Sequence, residues 1–349
     1  MAVKVSGPVR VALIGSGGIS AAHGKGFLKY ADKIKCVALV DVSPDNLKKR
    51  TEQLAPTGVT PRTFSDWKVC LKEMGGEIDA VDICLPHHLH APAILDAAAA
   101  GKHILCEKPM CMSLAEADQI DAAVRASGMT YMSAHNQLFM PVVQEAKRMI
   151  DAGEQGGIGK VLWLRSQDCF RAGGEGGNPF KGSWRADLKT QGGGELIDTG
   201  YHPSYRLLYL AGGPAAGTNP AVSIHGQMGR FVQQIEGEDT ASVQVRFANG
   251  AIGEILTSWA FPLPYGTHHI HVMGEKGQLF GSDNTLYHLP RGATEPTKRT
   301  FEPVDTFEAE IGHFADCLRE GKRPIHGVQE GRAVLELILN ASKNAQGWR

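Results

Sequence analysis

The sequence predicts two domains: an α/β domain with a doubly wound parallel sheet over residues 1–134, and an α+β domain with a large open, mostly antiparallel sheet over residues 135–349. Three observations predict it. Short apolar runs alternate with helical patterns as far as Ala134, the signature of a parallel sheet. Beyond that point strand-like runs follow one another, and Asn249-Gly250 between two of them is a hairpin signal. A chain of 349 residues is also long enough for about two domains.

The first apolar run, Val9–Ile14, reads as a buried strand. Gly15-Ser16-Gly17-Gly18-Ile19-Ser20 follows at once and opens a helix reaching about Tyr30. This is the dinucleotide fingerprint of a Rossmann domain in its strand–turn–helix context. Gly15 permits the tight turn, and Gly17 lets backbone N–H groups approach a pyrophosphate at the helix N-terminus. Ser20 stands where a third glycine is usual, and it is small enough to keep helix and strand close. The next strand, Cys36–Val40, ends at Asp41, twenty-one residues after Ser20. A carboxylate there accepts hydrogen bonds from the adenosine ribose and repels a 2′-phosphate. No Arg or Lys lies within Val42–Leu47 to neutralise such a phosphate, so NAD is favoured over NADP.

The alternation continues with helices over Pro44–Leu54 and Asp66–Met74. A strand over Asp79–Leu85 stops at Pro86, before His87, His88 and His90. Three histidines in four loop residues cannot all face one ion, and no acid or cysteine is spaced with them. A histidine after this strand is expected to line the cofactor cleft instead. The helix Ala91–Ala100 closes at Gly101, and the strand over Lys102–Cys106 stops at Glu107-Lys108-Pro109, since Pro109 has no N–H for a sheet ladder. Lys108 is thereby held at the carboxyl end of a strand and backed by an acid, where open α/β sheets bind ligands. The helix Leu114–Ser127, stopped by Gly128, and the strand Met129–Ala134 complete the domain.

After Ala134 the texture changes. His135-Asn136-Gln137 makes a polar turn, Pro141–Ala152 a helix, and the strands run over Val161–Phe170, Val222–Val232, Thr240–Phe247 and Ala251–Phe261, with shorter ones at His268–Met273 and Gln278–Phe280. Two stretches interrupt them. Arg171–Arg185 (RAGGEGGNPFKGSWR) has five glycines and reads as a functional loop. It carries Arg171, Lys181, Trp184 and Arg185; an indole beside a guanidinium suits a hydroxyl-rich ring. Gly192–Gly213 enters a helical pattern in which Asp198 and His202, four apart, share a face. A carboxylate against an imidazole fixes its tautomer and raises its basicity, as a general base needs.

Composition narrows the classes. A formal charge of -1 argues against a phosphate-backbone binder, and no apolar run approaches a membrane span. The opening MAVKVSGPVR has no secretory apolar region, and the seven cysteines are scattered without a Cys-x-x-Cys pair, so a cytoplasmic protein is expected.

The glycine turn, Asp41, Glu107-Lys108-Pro109 and GGGELIDTGYH, in that order, resemble the Gfo/Idh/MocA oxidoreductase family, which includes glucose–fructose oxidoreductase and inositol dehydrogenase. LPHHLHAPAILDAAAAGKHILCEKP and the closing helices Asp305–Glu320 and Val328–Asn344 extend the resemblance over nearly the whole chain. The resemblance implies that Lys108 and the Asp198/His202 dyad meet at the nicotinamide, and that the protein is a homodimer or homotetramer joined through the second-domain sheet.

The expected activity is NAD-dependent oxidation of a ring secondary alcohol of a sugar, glycoside or inositol, without a metal. Lys108, Asp198 and His202 are the expected catalytic residues, with His202 as base and Lys108 on the reacting oxygen; lysine as the base is the alternative. Cofactor contacts are expected from Gly15, Gly17, Gly18, Ile19, Asp41, Leu85, Pro86, His90, Glu107, Lys108 and Asn136. Substrate contacts are expected from Lys108, Asn136, Arg165, Trp184, Arg185, Asp198 and His202. The acids Asp168, Glu175, Asp187 and Glu195 interleave with the cations and favour a neutral substrate over an anionic one. Val243, Val245 and Phe247, on one side of a strand, are expected on an uncovered apolar face that would pair subunits. The alternatives are a reductase of another class (dihydrodiol or biliverdin-reductase-like) and a non-catalytic dinucleotide sensor.

Overall fold

The computed structural model describes residues 4–173, 179–213 and 219–345. They fall into two compact units, 1–136 with 305–331, and 137–304 with 332–349.

The first unit runs β1 (Val9–Ile14), α1 (Ser20–Lys29), β2 (Ile34–Val40), α2 (Pro44–Leu54), β3 (Arg62–Phe64), α3 (Trp67–Met74), β4 (Ala80–Ile83), α4 (His90–Ala99), β5 (His103–Glu107), α5 (Leu114–Ser127) and β6 (Tyr131–Ala134). The strands form one sheet in the order β3-β2-β1-β4-β5-β6, parallel throughout. The doubly wound sheet is therefore present, and its strand order turns between β1 and β4. Strands β4, β5 and β6 are buried at every position, as expected for a sheet covered on both faces. The helices start where capping side chains allow: Ser43, Asp66 and Ser113 each accept a backbone N–H in the first turn. Gly128 stops α5 in the left-handed conformation, at φ 68°.

The second unit runs α6 (Pro141–Asp151), β7 (Val161–Cys169), α7 (Leu188–Gln191), α8 (Tyr201–Leu210), β8 (Ala221–Gly229), β9 (Thr240–Phe247), β10 (Ile252–Ser258), β11 (Ile270–Gly274), β12 (Gly277–Ser282), β13 (Thr285–Pro290) and β14 (Thr297–Thr300). Its eight strands order as β14-β13-β12-β11-β7-β10-β9-β8, antiparallel except between β7 and β10. Of the two late helices, α9 (Thr306–Glu320) belongs to the first unit and not, as expected, to the second, and α10 (Val328–Asn344) begins in the first unit and continues in the second.

One expectation about this sheet is corrected. Val243, Val245 and Phe247 are 0%, 1% and 1% exposed, so their side of β9 is covered within the chain. A Cβ on Gly253 would meet both the Phe247 ring and Leu207 of α8, which shows that the helix packs this face. The outward side of β9 carries Ser242, Gln244 and Arg246. Across the sheet the outer row continues through Glu254, Arg165, His271, Phe280 and Tyr287, paired in register strand by strand. The seven cysteines are all free and buried. No helix among the described residues is long and apolar enough to cross a membrane.

Candidate active site

The turn after β1 is built around Gly15, at φ +94°, where a Cβ would lie 2.3 Å from the Cys84 carbonyl oxygen. A Cβ on Gly17 or Gly18 would meet no protein atom within 4 Å, so protein crowding does not demand glycine there. Half-exposed Ile19 caps α1 without a side-chain hydrogen bond, and the first turn holds no acid. The helix therefore offers N–H groups and a positive dipole end to an anion. Asp41, just past β2, is fixed beside this turn. Its Oδ2 accepts the Ser16 N–H at 2.8 Å and its Oδ1 the Ser43 N–H at 2.8 Å. These features fit a dinucleotide with its pyrophosphate at α1 and a ribose at Asp41. Ser20 does more than fit a small space. Its hydroxyl donates to Gly17 O at 2.7 Å and accepts from Arg50 Nε at 3.1 Å, while Arg50 Nη2 reaches Gly17 O at 3.2 Å.

At the ends of β4 and β5 two residues differ from expectation. His90 is completely buried, with Nδ1 2.6 Å from Pro109 O and Nε2 2.8 Å from Leu85 O. It ties the segments after the two strands together rather than lining a cleft. Burial outweighs its bonds to those carbonyls and pushes its pKa below the ordinary histidine value. Glu107 also points inward: Oε1 is 3.1 Å from His23 Nε2, and Oε2 accepts the Lys108 backbone N–H at 3.0 Å. Strand parity explains this, because Lys108 then leaves the strand on the other side, half-buried, before a cis peptide to Pro109. Asn136 is buried and donates to Thr306 Oγ1 at 2.9 Å. Among the described residues the one group with metal-like spacing is His23, Asp82 and Cys84.

In the second unit, Asp198 stands three residues before α8, in the turns that follow Gly192–Gly194, and not on the helix itself. Gly194 there is required by packing, since a Cβ on it would sit 2.2 Å from the Glu238 carbonyl oxygen. Asp198 Oδ2 accepts Arg185 Nε at 2.6 Å and Gln191 Nε2 at 3.4 Å. The Arg185 guanidinium lies over the Trp184 ring, 4.2 Å from its centroid. Trp184, Arg185 and Asp198 thus form one cluster. The anchor of the loop carrying Trp184 was not foreseen: Phe180 stacks on buried Trp259 with centroids 4.2 Å apart. Residues 174–178 of that loop, with Glu175, lie outside the described residues.

His202 Nδ1 is 2.7 Å from Tyr205 Oη, and the same oxygen accepts the Gln137 N–H at 3.1 Å. Tyr205 was missed, although its i, i+3 spacing from His202 on an apolar helix signals it. Arg165 belongs elsewhere. It pairs with Glu254 at 2.6 Å on the outer sheet face, whereas the next residue, Ser166, faces α8 and bonds Arg206 at 3.2 Å. We therefore assign Arg165 to that face and not to substrate.

Two family models cover most of the chain. Residues 9–135 match the oxidoreductase family with NAD-binding Rossmann fold (GFO_IDH_MocA), and residues 143–280 match the GFO/IDH/MocA C-terminal domain. The chain is 31% identical to the scyllo-inositol 2-dehydrogenase (NAD(+)) of Bacillus subtilis strain 168, over 96% of this chain and 94% of that one. It is 25% identical to the myo-inositol 2-dehydrogenase of Thermotoga maritima, over 98% and 97%. Among solved structures, a levoglucosan dehydrogenase in complex with NADH has the same fold, at a TM-score of 0.81 with 22% identity, covering 97% of this chain and 98% of that one.

Proposed function

The chain belongs to the GFO/IDH/MocA family of NAD-binding oxidoreductases, and from that premise we propose that it oxidises a ring secondary alcohol of a neutral polyhydroxylated compound: a sugar, glycoside or inositol. The observation that carries this reading is the Trp184–Arg185–Asp198 cluster. Its guanidinium is neutralised by a carboxylate at 2.6 Å, so the group offers donors and acceptors to hydroxyls without a spare positive charge for an anion. The names of the relatives, inositol dehydrogenases and a levoglucosan dehydrogenase, support the same substrate class.

Gly15, Gly17, Gly18, Ile19 and Asp41 would hold NAD, with Leu85, Pro86 and Asn136 as further contacts. NAD supplies the acceptor for the hydride that leaves the carbinol carbon. The protein handles the oxygen and the proton. Lys108 Nζ donates to the reacting oxygen and stabilises the charge it develops. His202 takes the hydroxyl proton on Nε2, because Nδ1 is turned to Tyr205 Oη. Asp198 holds Arg185 against Trp184, where the pair faces the substrate's other hydroxyls.

The test compares kcat/KM for neutral sugars and inositols with the matching uronates and sugar phosphates. Preference for the neutral compounds is expected, with Arg185→Ala raising KM for them. Preference for the charged compounds, abolished in Arg185→Ala, would overturn the neutral-substrate reading. Lys108→Ala and His202→Ala are each expected to lower kcat by at least ~100-fold.

A further inference from the structure

We propose that His23 is a positioning residue for Lys108: a buried ring, bonded on one side to Asp82 and on the other to Glu107, that holds the carboxylate on which the lysine's backbone rests. The proposal depends on the reading of Lys108 as a catalytic residue.

The connection is a continuous chain of bonds within the first unit. His23 Nδ1 lies 3.1 and 2.9 Å from the two carboxylate oxygens of Asp82, and Nε2 lies 3.1 Å from Glu107 Oε1. Glu107 Oε2 then accepts the Lys108 N–H. A ring with carboxylates at both nitrogens donates from both, which is the protonated form. His23 is fully buried and Asp82 1% exposed, so solvent screens the His23–Asp82 contact little. The remaining groups facing the ring are Cys84, with Sγ 3.7 Å from Nδ1, the Phe307 ring at 5.9 Å, and the field of Glu310 on α9. Burial pushes the Glu310 carboxyl well above the usual carboxylate range, against the pull of His23.

The charge balance agrees with the geometry. Burial works against a charged His23, but the charge and hydrogen bonds of the Asp82 carboxylate outweigh it and lift its pKa well above the ordinary value; the Cys84 thiol, itself pushed up to about 12 by burial, brings no charge. Burial likewise works against an ionised Glu107, and there the His23 bond and charge outweigh it and hold the carboxyl below its usual range. Two carboxylates, one imidazolium and the Lys108 ammonium sum to zero. A buried ion network is weak evidence for stability, since apolar side chains would fill the same volume at no desolvation cost. What apolar packing could not do is fix the orientation of the carboxylate that receives the Lys108 N–H.

The test is His23→Gln, which keeps one donor and most of the volume but cannot carry charge. Without the imidazolium, buried Glu107 takes up a proton more readily. We expect kcat/KM to fall roughly 10- to 100-fold, the scale of a small misplacement of a reacting group. The NADH dissociation constant should stay within about threefold, because no atom of the pyrophosphate turn is lost. The pH profile should gain an acid limb absent from the native enzyme. In Glu107→Gln, adding His23→Gln should cost nothing further, since the effect travels through Glu107. An unchanged pH profile with additive losses would overturn the proposal. If His23→Gln does not fold, the ring nitrogen shifts of ¹⁵N-histidine-labelled native enzyme decide: a neutral His23 ring at about pH 8, well above the ordinary histidine value, would overturn it. Lys108→Met separates the two readings. Full turnover in that variant removes the catalytic reading of Lys108 and this proposal with it, whereas lost turnover beside an unaltered His23→Gln removes this proposal alone.

Discussion

Tyr205 Oη lies 2.7 Å from His202 Nδ1, three residues away on α8, and accepts the backbone N–H of Gln137 at 3.1 Å. A phenol oxygen has two lone pairs. With one taken by Gln137, the other can receive the His202 Nδ1–H, which leaves Nε2 as the basic nitrogen. Tyr205→Phe removes that acceptor and frees the other tautomer. We expect kcat to fall at least ~10-fold, toward the low end of acid–base contributions, with little change in KM. Steady-state kinetics on the neutral sugar or inositol turned over best provide the check. Full activity would show that another group sets the tautomer.

Asp41 is held by two backbone N–H groups, from Ser16 and Ser43, each at 2.8 Å. It cannot swing aside for a 2′-phosphate without losing both. NAD(H) should therefore bind more tightly than NADP(H) by at least about tenfold, since juxtaposed like charges cost several kcal/mol. Asp41→Ala should narrow the gap. Fluorescence titration with both reduced cofactors measures it, and equal affinities for the native protein would sink the idea.

Arg50 supports the cofactor turn from beneath, through Ser20 Oγ and Gly17 O. Its fork reaches both atoms at once; a lysine would present a single ammonium. Arg50→Lys should therefore weaken NADH binding about tenfold, one lost charge-assisted hydrogen bond, with kcat at saturating NAD little affected. Unchanged NADH affinity would mean that Ser20 and Gly15 hold the turn unaided.

What could be read from the sequence was local. Gly15, Asp41 and the Gly128 stop each act within a few residues, so their residue types suffice to place them. Strands β3 and β14 could not be read, because Arg62–Phe64 and Thr297–Thr300 are short strands at the sheet edges with no buried residue and hence no apolar alternation. The alternation of β9 showed that Val243, Val245 and Phe247 share a face, but not which face the helices take. Links made only by folding were also hidden: Arg185 to Asp198 across 13 residues, and His23 to Asp82 and Glu107 across 59 and 84.

Assembly is expected through the outer face of the second sheet, where partly exposed aromatic groups replace the valines first considered. Phe280 stacks on Tyr287 with centroids 5.1 Å apart, and Trp163 meets His271 at 5.5 Å. Ile252 and Met273 are exposed on the two strands that flank β7, each in register with Trp163. Apolar and aromatic groups gathered on one sheet face, here around the Arg165–Glu254 pair, are characteristic of an interface. Light scattering at micromolar concentration should give two or four times the 37.5 kDa chain. Phe280→Arg should lower that mass without loss of fold by circular dichroism. A monomeric native protein would reject the assignment.

Stability should fall as the pH drops below the ordinary histidine range, and His326 should carry a measurable part of the fall. Its ring is buried and its Nδ1 lies 2.6 Å from Nδ1 of buried His135, a contact with room for one proton. Burial pushes the pKa of His326 down from 6.5 to about 4, against the pull of Glu330. The folded protein thus keeps this ring neutral while the unfolded chain protonates it at the ordinary value. Protons are then bound preferentially by the unfolded state, so stability is full above 6.5 and is lost as the pH falls from there toward 4. The depressed pKa corresponds to about 3 kcal/mol across that window, at 1.36 kcal/mol per unit. His90, His103 and His313, also depressed by burial, act in the same direction. Urea unfolding at a series of pH values should show the decline, and His326→Asn, which removes the titrating ring, should flatten it. A decline of the same steepness in His326→Asn would assign the acid sensitivity to other groups.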